Sequence, residues 1–136
     1  MIVSTKKVKV LSPESIANIL RAMLSVEGEG ALLQEHFWSI GLNNKNVIQY
    51  IDLVSLGTIN ESIVHPREVF RMAVKESCTG IIIAHSHPSG EVTPSKEDIG
   101  TTTRLKNAGD ILGIPIIDHV IIGDMYLSMK ETGYIN

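Results

Sequence analysis

Three side chains of this sequence have the types and the spacing to hold a metal ion: His85, His87 two residues on, and Asp98 further downstream. In extended backbone alternate side chains share a face, so the two imidazoles can converge on one point. Asp98 adds an oxygen donor whose charge offsets part of a cation's. Two imidazoles and one carboxylate suit zinc and leave a fourth position for water, the open arrangement of a catalytic site. The single cysteine, Cys78, excludes a closed thiolate site. Ser95 lies three residues before Asp98, one helical turn away on the same face. Its hydroxyl either donates to an oxygen acquiring charge or serves only to start a helix. Hydrolysis also needs a group to take a proton from water, and composition offers Glu35, Glu61, Glu68 and Glu91 without choosing among them.

The elements that must position these residues follow from periodicity and punctuation. Residues 80–84 are a β-branched run, expected as a strand buried on both faces that runs into the loop bearing the histidines. The end of a strand in an open α/β sheet is where ligand sites lie. Thr93, Pro94 and Ser95 read as the cap-plus-proline start of a helix reaching about residue 112, with Asp98 in its first turn or so. Upstream, Ser12 caps, Pro13 opens and Glu14 complements the dipole of a first helix. Its apolar face is Ile16, Ile19, Leu20, Met23 and Leu24, and residues 27–30 end it. Trp38, Ile40 and Leu42 alternate with Ser39 and Gly41, which predicts a half-buried strand over residues 35–42. A turn at 43–46 leads to a second strand, 47–56, paired as a hairpin. Pro66 opens a helix with Val69, Met72 and Ala73 on one face and a stop near Gly80. A strand over 114–122, interrupted at Asp118 and His119, and a last strand near 126–129 complete the order α-β-β-α-β-α-β-β. That order implies an α/β (α+β) fold, a mixed β-sheet with flanking helices.

The 136 residues argue for one domain with a core of its own. The net charge is −3, and Lys and Arg are scattered apart from Lys6, Lys7 and Lys9, which read as a solvated end. Neither a basic footprint nor a set of stacking aromatics marks a nucleic-acid binder. The first residues do not read as a signal peptide, and the aliphatic runs are too short to span a bilayer. One cysteine fits a reducing compartment, so a cytoplasmic protein without membrane association is expected. Cys78 reads as a small buried apolar residue, His65 as packing at a helix start, and Gly90 as a source of loop freedom. His119 is either support for a metal ligand or a strand histidine satisfied by backbone.

The segment His85-Ser86-His87, seven residues, Ser95, two residues, Asp98 matches the JAMM motif H-[ST]-H-x7-S-x2-D at every defined position. Five separated blocks, at 57–62 (GTINES), 64–70 (VHPREVF), 85–90 (HSHPSG), 94–99 (PSKEDI) and 118–123 (DHVIIG), resemble the RadC family in order and spacing, over nearly the whole chain. Ser86 stands where that family commonly has Asn. Many RadC-like proteins also carry an N-terminal helix-hairpin-helix region. Residues 1–136 read as a single RadC-like JAMM domain without one, which argues against direct DNA binding. The resemblance implies a JAMM/MPN architecture related to cytidine deaminases and a zinc ion held by His85, His87 and Asp98. It also implies a general base at Glu35, in the Glu35-His36-Phe37 segment that opens the first strand. Ser95 would stabilise the oxyanion, and the substrate would be an amide in a peptide or protein. The function so implied is a zinc-dependent hydrolase of peptide or isopeptide bonds. Two other functions compete: an MPN-like binding or assembly module without turnover, and an accessory role in DNA repair, which the family's traditional name suggests. A zinc base deaminase needs a Pro-Cys-x-x-Cys ligand pair that one cysteine cannot provide.

Overall fold

The computed structural model describes residues 2–3, 8–10, 12–60 and 62–135. Lys6, Lys7 and the candidate base Glu61 lie outside the described residues. The elements run β1 (Ile2–Val3), α1 (Pro13–Glu27), a 3-10 turn (Glu29–Leu33), β2 (His36–Leu42), β3 (Ile48–Leu56), α2 (Pro66–Val69), α3 (Arg71–Lys75), β4 (Gly80–Ser86), α4 (Lys96–Leu112), β5 (Ile116–Ile122) and β6 (Tyr126–Ser128). The strands form one six-stranded sheet in the order β1-β3-β2-β4-β5-β6. Only β4 and β5 are parallel, and α4 is the crossover between them, as a parallel pair requires. The other neighbours are antiparallel.

Each face of the sheet carries its own core. On one side α1 buries Ile16, Ala17, Leu20 and Leu24 against Trp38, Ile40, Ile82 and Val120. On the other, residues of α2, α3 and α4 pack with Phe37, Ile81, Ile83 and Ile121. Helix α1 starts as its sequence indicates: Ser12 is the N-cap, its hydroxyl accepts from Ser15 N, and Pro13 is the first helical residue.

Four local expectations are corrected. Strand β2 is buried along its whole length rather than on one face. It is a central strand, so the small and polar positions of its alternation also face a core. There Ser39 Oγ bonds Tyr50 Oη at 2.8 Å, and a Cβ at Gly41 would overlap the Tyr50 ring. The helix opened by Pro66 breaks at Phe70, whose ring is buried in the core, and α3 ends before Ser77, which takes a left-handed conformation. The chain thus leaves the helix early enough for Gly80 to begin β4. Helix α4 is capped by Ser95, not entered through Pro94, which precedes the cap. Strand β5 runs without interruption through Asp118 and His119. Both are buried there because the Asp118 carboxylate accepts from His119 N, Lys130 N and the Ser128 hydroxyl.

No helix among the described residues is long and apolar enough to cross a membrane. Gly41→Ala should be destabilising by about 1–3 kcal/mol, the usual cost of overpacking a filled core. A lower urea midpoint with unchanged far-UV circular dichroism would register it, and an unchanged midpoint would contradict the packing of Tyr50 on β2.

Candidate metal centre

The site lies where β4 ends. His85 is inside the strand and fully buried, and His87 follows it, its N–H donating to Ile122 O at 2.8 Å to extend the pairing with β5. The chain then turns, with Gly90 N donating to His87 O at 2.9 Å and Gly90 at a positive φ of 86°. A Cβ at Gly90 would meet the exposed Asp124 carboxylate, which can move aside, so it is the positive φ that favours glycine here. Beyond the loop, α4 delivers Asp98 in its first turn through a capping box: Ser95 Oγ accepts from Asp98 N at 3.0 Å, and Ser95 N donates to Asp98 Oδ2 at 2.9 Å.

His85, His87 and Asp98 are brought together, each offering one ligand atom, and those atoms lie within 4.8 Å of one another. His85 Nε2 is 2.8 Å from His87 Nε2 and 3.2 Å from Asp98 Oδ1, and His87 Nε2 is 3.1 Å from Asp98 Oδ2. The partners of the other ring nitrogens fix what these atoms are. His87 Nδ1 faces the Glu91 carbonyl at 2.6 Å, which can only accept, so Nδ1 carries the proton. The Thr102 hydroxyl donates to Asp98 O at 2.7 Å, so its oxygen accepts from His119 Nδ1–H at 2.5 Å. Burial holds His119 neutral, with a pKa well below the usual value. Its Nε2 therefore accepts, and the donor 2.6 Å away is His85 Nδ1–H. In that proton order the neutral ligand histidines present their Nε2 lone pairs to each other and to a carboxylate. Converging nitrogen and oxygen atoms of this kind are satisfied by a cation, and two imidazoles with one carboxylate are a donor set that zinc accepts. The residues present fit a metal ion.

Without an ion, the same convergence favours a proton between the imidazoles and the carboxylate. The Asp98 hydrogen bond raises the His87 pKa more than burial lowers it, with the charge of Glu35 adding to the rise. Burial pushes Asp98 up, but its bonds to His85 and His87 outweigh it and hold the carboxyl well below the usual range. The Phe37 ring stacks on His85 at 6.1 Å and meets His119 edge-on at 5.9 Å, closing the centre from the core side.

Of the three candidate carboxylates among the described residues, Glu35 best meets the requirement. It precedes Phe37, the partner of His85, by two residues, and its charge reaches His87, whose pKa it helps to raise. Its Oε2 accepts from Ile59 N at 2.9 Å. Glu91 is turned onto its own loop, accepting from Val92 N, Thr93 N and the Thr93 hydroxyl. Glu68 is exposed on α2, 3.9 Å from Arg67. Cys78 is buried and unpaired, and burial raises its thiol to about 11, so it packs as an apolar residue. His65 sits at the N-cap of α2 without a side-chain cap bond. Spacing did not single out Thr102 or the Glu91 carbonyl, although Thr102 lies one helical turn past Asp98.

A family model described as the RadC-like JAB domain matches residues 10–134. The chain is 47% identical over 132 residues to a UPF0758 protein of Staphylococcus haemolyticus, covering 96% of this chain and 56% of that protein. It is 50% identical over 131 residues to one of Staphylococcus carnosus, covering 96% and 56% of the two chains. It is 51% identical over 126 residues to one of Caldanaerobacter subterraneus, covering 92% and 52%. The chain thus spans little more than half the length of these relatives.

Two outcomes follow from the centre. Metal binding requires a bare His87 Nε2, so protons compete with the ion as pH falls through the raised His87 pKa. Chelator-competition titrations across pH should show affinity dropping at a higher pH than an unperturbed imidazole gives, while Asp98 stays ionised throughout. Thr102→Val removes the acceptor that orders the protons of His119 and His85, and should weaken metal affinity about 10–100-fold with the fold retained. Unchanged affinity would mean that the proton order is fixed by something else.

Proposed function

Because the chain belongs to the RadC-like JAB domain family, we propose that it is a zinc-dependent hydrolase of peptide or isopeptide bonds, working in the cytoplasm on a peptide or protein substrate. The observation that carries this reading is the convergence of two imidazole nitrogens and a carboxylate at a strand end. Zinc held by His85, His87 and Asp98 would supply Lewis-acid chemistry, making a water acidic at neutral pH and polarising a carbonyl.

The remaining work falls to two side chains. Glu35, outside the ligand set, accepts the proton from the attacking water and passes it to the departing amine. Its Oε2 is held by Ile59 N, which fixes the carboxylate while leaving its other oxygen to exchange the proton. Ser95 uses its oxygen lone pair to cap α4 through Asp98 N, and its O–H remains to donate to the oxyanion. The two readings that spacing left open for Ser95 are thereby compatible, because they use different parts of one hydroxyl.

Glu35→Gln keeps the shape and removes the proton acceptor. Metal content should stay at about one per chain while kcat falls roughly 10²–10⁴-fold, with KM little changed. Turnover at the wild-type rate would move the role to another group. Ser95→Ala should cost about 1 kcal/mol of stability through the lost cap. It should also lower the rate per folded molecule by about 10²–10³, as the loss of one oxyanion donor does. Loss of stability with an unchanged rate would leave Ser95 as a cap alone. A zinc-loaded protein that cleaves nothing across a broad peptide library would favour the binding-module function instead.

A further inference from the structure

Two buried polar residues take no part in the metal chemistry: His36, which opens β2, and Ser86, which stands between the two histidine ligands. His36 is 1% exposed and Ser86 8%. The His36 ring lies across the sheet from the metal, stacked at 5.3 Å on Trp38, a residue of the core beneath α1. Ser86 alternates with His85 and turns to that same side. Buried polar groups are costly unless they are bonded, and the bonds of these two converge on the backbone around Glu35.

Glu35 lies just outside β2. Two peptide groups flank it, and both are held. The His36 ring reaches back across Glu35, and its Nδ1 meets Gln34 O at 3.0 Å. A carbonyl only accepts, so Nδ1–H is the donor. On the other side, Glu35 O accepts from Gly57 N at 2.8 Å, and His36 N donates to Ser86 Oγ at 3.0 Å. The far ring nitrogen, His36 Nε2, is 3.3 Å from Glu27 Oε2 on the last residue of α1, which keeps the ring in place. Each peptide group is planar, so fixing the two around Glu35 fixes its φ and ψ and the direction of its Cα–Cβ bond. The side chain then needs only its bond from Ile59 N to complete its placement. Ser86 is flanked by His85 and His87, so its bond ties the segment that carries the base to the strand that carries the ligands.

We propose that His36 and Ser86 are positioning residues for Glu35, acting from the opposite face of the sheet to hold its carboxylate at the metal centre. The proposal rests on the reading of Glu35 as the proton acceptor of a hydrolase.

The first readout needs neither substrate nor metal. The Ile59 N–H donates to Glu35 Oε2, so its hydrogen exchange, followed by NMR, reports where that carboxylate is. Ser86→Ala removes one acceptor, Ser86→Thr keeps it, and His36→Leu removes both ring nitrogens. In Ser86→Ala and His36→Leu the Ile59 amide should exchange about tenfold faster or more, with the amides of the β4–β5 ladder still protected. Metal content should stay at about one per chain, because the ligand set is untouched. The second readout is turnover: kcat should fall about 10–100-fold with KM little changed, as a small misplacement of a reacting group costs. Ser86→Thr should restore both. Unchanged Ile59 exchange in Ser86→Ala and His36→Leu overturns the proposal. So does a loss of protection shared by the β4–β5 amides, which would make the two residues part of general packing. Ser86→Thr behaving as Ser86→Ala does also overturns it. A loss confined to Ile59 with undiminished kcat supports the tether and sinks Glu35 as the base.

Discussion

The proton order of one buried chain of hydrogen bonds decides what this site can be. When the Thr102 hydroxyl gives its proton to the Asp98 carbonyl, the order downstream follows: His119 donates from Nδ1 and accepts at Nε2, and His85 donates from Nδ1. What remains at the end is a lone pair on His85 aimed at the His87 Nε2 and a carboxylate. In a buried setting an uncompensated cluster of acceptors is costly, and the same low dielectric makes a cation there strongly favoured. His119, which the sequence left as either ligand support or a backbone-satisfied strand residue, is thus a support whose neutrality the chain requires.

Helix α4 does two jobs with one carboxylate. Asp98 closes the capping box of its own helix through Ser95 N and faces both histidines. The cap fixes the rotamer of the ligand before any ion arrives, so the order needed for binding is already present in the helix start. The parallel pairing of β4 with β5 sets the other half of the geometry. It places His119 beside Ile83, one pleat below His85 on the same face, where the two rings can meet. A register shift of one residue would turn His85 and His87 to the α1 side and dissolve the centre.

Most of this was legible in the sequence because the relevant rules are local. Ser12-Pro13 and Ser95 with Asp98 three residues on are helix starts by chemistry, and the β-branched run before His85 is a buried strand by composition. The errors lay where non-local packing decides. Alternation suggested a half-buried β2 because Ser39 and Gly41 look like solvent positions. Only the ring of Tyr50, from the neighbouring strand, explains why small and polar residues sit inside. Likewise Asp118 and His119 read as an interruption of β5 until Ser128 and Lys130, ten and twelve residues later, supply the partners that let a carboxylate be buried. The liganding triad was visible because its members are close in sequence. The chain through Thr102 and His119 was not, since its direction depends on which atom holds a single hydroxyl proton.

The relation between metal and fold follows from where the apolar surface lies. Two cores, one on each face of the sheet, are built from residues that do not touch the ion: Ile16, Leu20 and Trp38 on one side, Val69, Phe70 and Leu105 on the other. A chain of this size buries enough surface to fold without a metal, unlike small domains whose ligands are their core. The cost of the bare acceptors is therefore confined to the end of β4 and the start of α4. The Asp98 carboxylate raises the His87 pKa, so protonation of His87 relieves that cost as pH falls. A proton and an ion compete for the same converging lone pairs, so metal binding and the titration of His87 are linked.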